Sequence, residues 1–164
     1  LGSLANARQH IYQLILALEE VLSGPPDVRQ MEDSPFLNLW APVRVHSDIS
    51  LFGQVSGHPS LPERQVITSL ILYIDLERRI SRTMNRWYRL GEPRDYLREA
   101  ADAFPNIDMT DAVLNIGNDT VGATVDQLHA AIADFPRSLL ADCLLLQQFD
   151  LLPWLDRVVK AWPV

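Results

Sequence analysis

The chain has 164 residues, 48% of them apolar, and a formal charge of −7. That is enough chain for one domain with a sizeable core, and the excess of acid disfavours general adhesion to nucleic acid or an anionic membrane. Cys143 is the single cysteine, which rules out an intrachain disulfide and fits a reducing, cytoplasmic compartment.

Leu1-Gly2-Ser3 reads as the remnant of an expression tag, and no basic region followed by an apolar core marks a secretion signal. Residues 4–22 read as an amphipathic helix, with Ile11, Leu14, Ile15, Leu18 and Leu22 on one stripe. Gly24-Pro25-Pro26 stops it. A linker follows through about residue 38, in which Pro35, Phe36, Leu37, Leu39 and Trp40 cover an edge of the core.

From 41 to 90 the period changes. Val43 and Val45 alternate with Arg44 and His46, and 66–74 is rich in β-branched and aromatic residues. Breaks at Gly57-His58-Pro59 and 75–79 give an antiparallel meander of about four strands ending in a hairpin. A helix over 66–90 is the competing reading. Ser60 and Glu63 have capping-box spacing, and Val66, Leu70, Tyr73, Ile80, Met84 and Trp87 share a stripe. The strand reading is preferred.

After Gly91 helices are expected throughout: 93–104, 108–116, one from the Thr124-x-x-Gln127 capping box through Phe135, an apolar 138–149, and a last helix capped by Asp150. The fold class is α+β: one N-terminal helix on a small antiparallel β meander, followed by a C-terminal bundle of four or five helices. The division is 4–92 and 93–164, packed as one compact unit. The 138–149 segment surrounds Cys143 with leucines, which makes it a core thiol rather than a reactive one. No apolar run reaches the roughly 18–20 residues of a membrane helix. Thirteen arginines against the single Lys160 suggest a GC-rich, bacterial source.

The charge is unevenly spread. Residues 78–98 hold seven of the 14 basic side chains and two acids, a net +5, which leaves −12 for the rest. Arg78, Arg79, Arg82, Arg86, Trp87, Tyr88 and Arg89 are the candidate binding residues. Arginine recognises carboxylate or phosphate in a planar, bidentate way, and aromatic rings stack on bases. The plainer reading pairs these arginines with Asp75, Glu77, Glu92, Asp95 and Glu99, all close in sequence.

Other chemistry is sparse. His58, in a tight turn, is either a backbone-bonded turn residue or a base working with Thr68 or Ser69. The hydroxyls lack a nucleophile elbow, no glycine loop suits a phosphate, and no Cys/His set has zinc spacing. No catalytic residue, metal or cofactor is assigned.

Gly57-His58-Pro59, Ile67-Thr68-Ser69, Asp75, Arg82-Thr83 and Arg86-x-Tyr88-Arg89-Leu90-Gly91 come in an order, behind Ser34-Pro35-Phe36-Leu37-x-Leu39-Trp40, that resembles a small proteobacterial family known only as a domain of unknown function. The resemblance spans about residues 4–93. Similar proteins often carry glycine near the hairpin turn where this chain has Arg78-Arg79. It implies no activity, cofactor or partner, and leaves 94 onward unaccounted for. It also gives the impression of a mobile-element or phage origin. The expected function is a non-catalytic protein–protein interaction module of regulator or inhibitor type. Its partner is another protein, with no membrane involved and self-association left open. Nucleic-acid binding through 78–89 ranks second, and a small enzyme centred on His58 third.

Overall fold

The computed structural model describes residues 2–163. Helix α1 (Gly2–Leu22) buries Ile11, Leu14, Ile15 and Leu18, the expected stripe, with Val21 rather than Leu22 completing it. Gly24, at φ 94°, ends the helix as anticipated. The linker contains one turn of helix, α2 (Val28–Glu32), held by a capping box between Asp27 and Gln30.

Six strands then form one path, in the order β3-β2-β1-β6-β5-β4. They are β1 (Phe36–Val45), β2 (Asp48–Ser56), β3 (Arg64–Ile67), β4 (Ile71–Asp75), β5 (Ile80–Thr83) and β6 (Trp87–Leu90). The strand reading of 66–90 holds, and the helix does not form. The sheet is not the simple antiparallel meander expected: β1 and β6 pair in parallel, Phe36 opposite Arg89 and Leu37 opposite Leu90. β1 also begins five residues before the alternation at Ala41, because its first half pairs with β2 on one side and β6 on the other.

β3 and β4 end the path, yet only residues 68–70 separate them. Four Cα steps reach at most about 14 Å, whereas the outer strands of a flat six-stranded sheet lie about 24 Å apart. The sheet therefore curls into a half-open barrel. At the corner between β3 and β4, Thr68 stays tied to β2. Its N–H donates to the Leu51 carbonyl (2.9 Å), and its hydroxyl accepts from the Leu51 N–H (3.0 Å) and donates to the Ser69 carbonyl (2.9 Å). Leu37, Trp40, Ile49, Leu51, Ile71 and Tyr88 fill the interior, with Leu128 inserted from above.

The expected helix over 108–116 is absent. Instead β7 (Asn115–Gly117) and β8 (Thr120–Gly122) form a hairpin, and β8 pairs with the far half of β1. Asn118 and Asp119 both have positive φ, the two-residue turn that Asn and Asp tolerate.

Three helices follow β6 in place of a bundle of four or five: α3 (Tyr96–Ala103), α4 (Val125–Leu145) and α5 (Leu152–Ala161), the last preceded by a short 3-10 turn at Phe149–Leu151. α4 fuses the two helices expected on either side of Pro136. Proline removes the hydrogen bond that the Ile132 carbonyl would accept; the Trp162 indole N–H fills that place at 3.1 Å. Asp150 does not cap the last helix; its carboxylate binds Arg8 of α1 instead (2.7 Å). α1, α4 and α5 share a second core, into which β4 sends Leu72 and where Cys143 is fully buried. Burial pushes that thiol's pKa up.

Candidate functional site

The arginine run lies on the β4–β5 turn, β5, the β5–β6 turn and β6, and most of it is engaged inside the molecule. Arg78 lies 3.7 Å from Asp75, whose other oxygen accepts the Arg78 backbone N–H (2.9 Å). Arg79 pairs with Glu92 at 2.7 Å. Arg82 is buried. Its Nε and Nη2 reach Glu20 of α1, both at 3.0 Å, and its Nη1 donates to the Thr83 carbonyl. Burial holds the guanidinium's pKa down, and Glu20 offsets part of that effect.

Arg89 donates from Nε to the Ser34 carbonyl (3.1 Å) and lies over the Phe36 ring. Trp87 packs edge-on against Tyr73, and Tyr88 points into the barrel, where burial raises its hydroxyl pKa. Arg86, half-buried, is without an ion pair among the described residues. The run therefore does not present one basic face.

His58 keeps its turn. Nδ1 accepts the Ser60 N–H at 3.1 Å, and partial burial, with the Arg86 charge second, lowers its pKa. The Thr68 hydroxyl has both a lone pair and its proton committed, to the Leu51 N–H of β2 and to the Ser69 carbonyl.

The residues that carry the family resemblance meet in the fold. Gly91 donates to the Leu37 carbonyl (2.8 Å) and accepts from the Trp40 indole (3.1 Å). A Cβ at Gly91 would stand 2.2 Å from the Asn38 side-chain oxygen, so a larger residue would have to push Asn38 off the Glu92 N–H that it accepts. Ser34-Pro35-Phe36-Leu37 and Arg89-Leu90-Gly91 are thus the two sides of the parallel β1–β6 seam, while Thr68 ties the β3–β4 corner to β2 and Thr83 holds the β5–β6 turn.

A site that periodicity did not reveal lies along the middle of β1. A groove of about 750 Å³ is bounded by β1, α3, the 105–114 loop, β8 and the start of α4. Trp40, Tyr96, Leu97, Met109, Leu114 and Val125 supply its apolar lining. Val113, in the lining itself, is 62% exposed, and Phe104 and Ile107, earlier in the same stretch of chain, are 58% and 56% exposed. Arg94 lines it too, held to Glu99 (2.9 Å) and over the Tyr96 ring (4.5 Å). The one signal in the sequence was the density of large apolar residues between 104 and 114, which the expected helix over 108–116 absorbed. A second apolar patch, Leu144, Leu145 and Phe149, surrounds the end of α4. A smaller, more polar cleft of about 420 Å³ lies beside β3, with Asn38, Gln54 and Arg64 in its walls.

Among the described residues no helix is long and apolar enough to cross a membrane. No curated protein and no solved structure matches the chain. A family sequence model does match, over residues 4–114, from α1 through α3 and the whole of the loop that walls the groove. The match runs beyond the seam residues and covers more than half of the chain, so the protein belongs to the family of unknown function DUF6634.

Proposed function

We propose that the chain is a non-catalytic protein-interaction module, a regulator or inhibitor that acts by holding a partner in the groove between α3, the 105–114 loop and α4. The observation that carries this reading is Val113, more than half exposed in the lining of an already apolar cleft, with Phe104 and Ile107 of the same chain segment exposed as well. Exposed apolar surface continuous with a groove marks interaction sites. A small ligand is ordinarily enclosed over most of its surface; these exposed side chains stand outside any such enclosure and suit a larger partner.

The arginine run supports the nucleic-acid alternative less well. Arg78, Arg79 and Arg82 already have carboxylate partners, so a phosphate would have to displace them. The enzyme alternative also loses support. The Thr68 hydroxyl donates to Ser69 and accepts from Leu51, and His58 spends its Nδ1 on Ser60.

The test is affinity capture from the organism that encodes the protein, comparing wild type with Val113→Asp and Leu145→Asp. The reading predicts that a specific partner is lost with Val113→Asp and kept with Leu145→Asp. An unchanged set of partners in Val113→Asp contradicts it.

A further inference from the structure

The charge around the groove says what kind of partner it suits. Residues 92–127 carry eight acids and two arginines, a net −6 out of the chain's −7. Asp95 lines the groove itself. Asp102 follows Arg98 by one turn of α3, Asp108 and Asp111 flank Met109 and Ala112 of the lining, and Asp126 sits between Val125 and Gln127. All five are exposed. Asp108 accepts from the Thr110 N–H and hydroxyl, which lowers its pKa and keeps it ionised. Of the two arginines, Arg94 is already neutralised by Glu99.

Resting on the reading of this groove as a protein-docking site, we infer that its partner presents a basic amphipathic helix. Leucine-like side chains enter between Leu97 and Val113, and lysines or arginines meet Asp95, Asp102, Asp108 and Asp111. An apolar groove that accepts one face of a helix is a recurrent recognition mode. The acidic rim adds steering and repels phosphate-rich partners such as nucleic acid or an anionic membrane.

The test uses three synthetic amphipathic helices of about five turns, with leucine on one face and lysine, glutamine or glutamate on the other. Binding of the labelled peptides is read by fluorescence anisotropy. The Leu/Lys peptide should bind, weakening as salt rises from about 0.02 to 0.3 M. Ala101→Trp, which fills the groove without changing charge, should weaken it at least about tenfold, a loss of about 1.4 kcal/mol. Val113→Gln, at an exposed position that leaves folding intact, should weaken it in the same direction, and Leu145→Gln should not.

Leu/Lys binding that neither groove variant reduces would be generic charge attraction and overturns the inference. If the Leu/Gln or Leu/Glu peptide binds as tightly and is lost in the groove variants, the inference falls while the docking site stands. If no peptide binds, the inference falls, and the capture experiment with Val113→Asp decides the site independently.

Discussion

Reversing the charge at Arg82 separates an architectural arginine from a recognition residue. Arg82 shows 7% of its side chain to solvent, whereas Glu20 shows 55%. Because Glu20 is largely in water, the ion pair itself contributes only about 1 kcal/mol. The buried guanidinium is a different matter. Glu20→Ala leaves it with the Thr83 carbonyl alone, an under-satisfied buried charge costing about 1–3 kcal/mol. Arg82→Ala loses those bonds and the packing of the aliphatic stem, about 2–4 kcal/mol. Arg82→Glu places a second carboxylate beside Glu20 on a buried strand and should cost about 3–5 kcal/mol. Arg82→Met keeps the volume and removes the charge, so it should stay within about 1 kcal/mol of wild type.

Urea unfolding followed by tryptophan fluorescence measures all four, since Trp87 and Trp162 lie in the regions affected. In a thermal melt each kcal/mol should move the midpoint by about 2–4 °C at this chain length. An Arg82→Glu protein as stable as wild type would refute the buried pairing and return Arg82 to the candidate binding residues.

Three further outcomes follow from particular contacts. Trp162→Phe strips the donor from the Ile132 carbonyl and should cost about 1–3 kcal/mol; in a Pro136→Ala background the helical bond returns and the same change should cost measurably less. Equal costs in both backgrounds would sever Trp162 from the proline. Arg79 sits at φ 54° on the β4–β5 turn. Arg79→Gly should relieve about 1–2 kcal/mol of left-handed strain against about 0.5–1 kcal/mol of added chain entropy and an exposed ion pair, so stability should hold or rise slightly in urea melts. A loss above about 2 kcal/mol would contradict the turn geometry. His58 should titrate by NMR below its usual value of about 6.5. Its folded form disfavours the proton, so the unfolded chain binds more protons in the window between the folded pKa and about 6.5, and stability should rise with pH there. A titration above the usual value would contradict both the partial burial of the ring and the influence of Arg86.

Where local chemistry decided the structure, the sequence was legible. The α1 stripe, Gly24, the Thr124/Gln127 capping box and the strand character of 66–90 all depend on neighbours within a few residues. Where long-range partners decided, it was not. Pro136 looks like a helix break until Trp162, distant in sequence, satisfies Ile132. The parallel seam needs Phe36 beside Arg89, and a loop between adjacent strands cannot announce that. The β7–β8 hairpin is short, and its Asn118-Asp119 turn resembles a pair of helix caps. The arginine run was visible as a charge excess, but not the fact that Arg82 reaches back to Glu20 on α1. The groove was least visible, because its walls come from β1, α3, β8 and α4 together and its apolar residues also fit a helix stripe.

The most direct measurement of the central claim is site-specific photocrosslinking. A benzophenone amino acid is placed at Val113 in one protein and at Arg86 in another, each expressed in the source organism and irradiated. The account predicts a discrete partner adduct from position 113 and none from position 86. An adduct from 86 alone would contradict it, moving recognition from the groove to the arginine run.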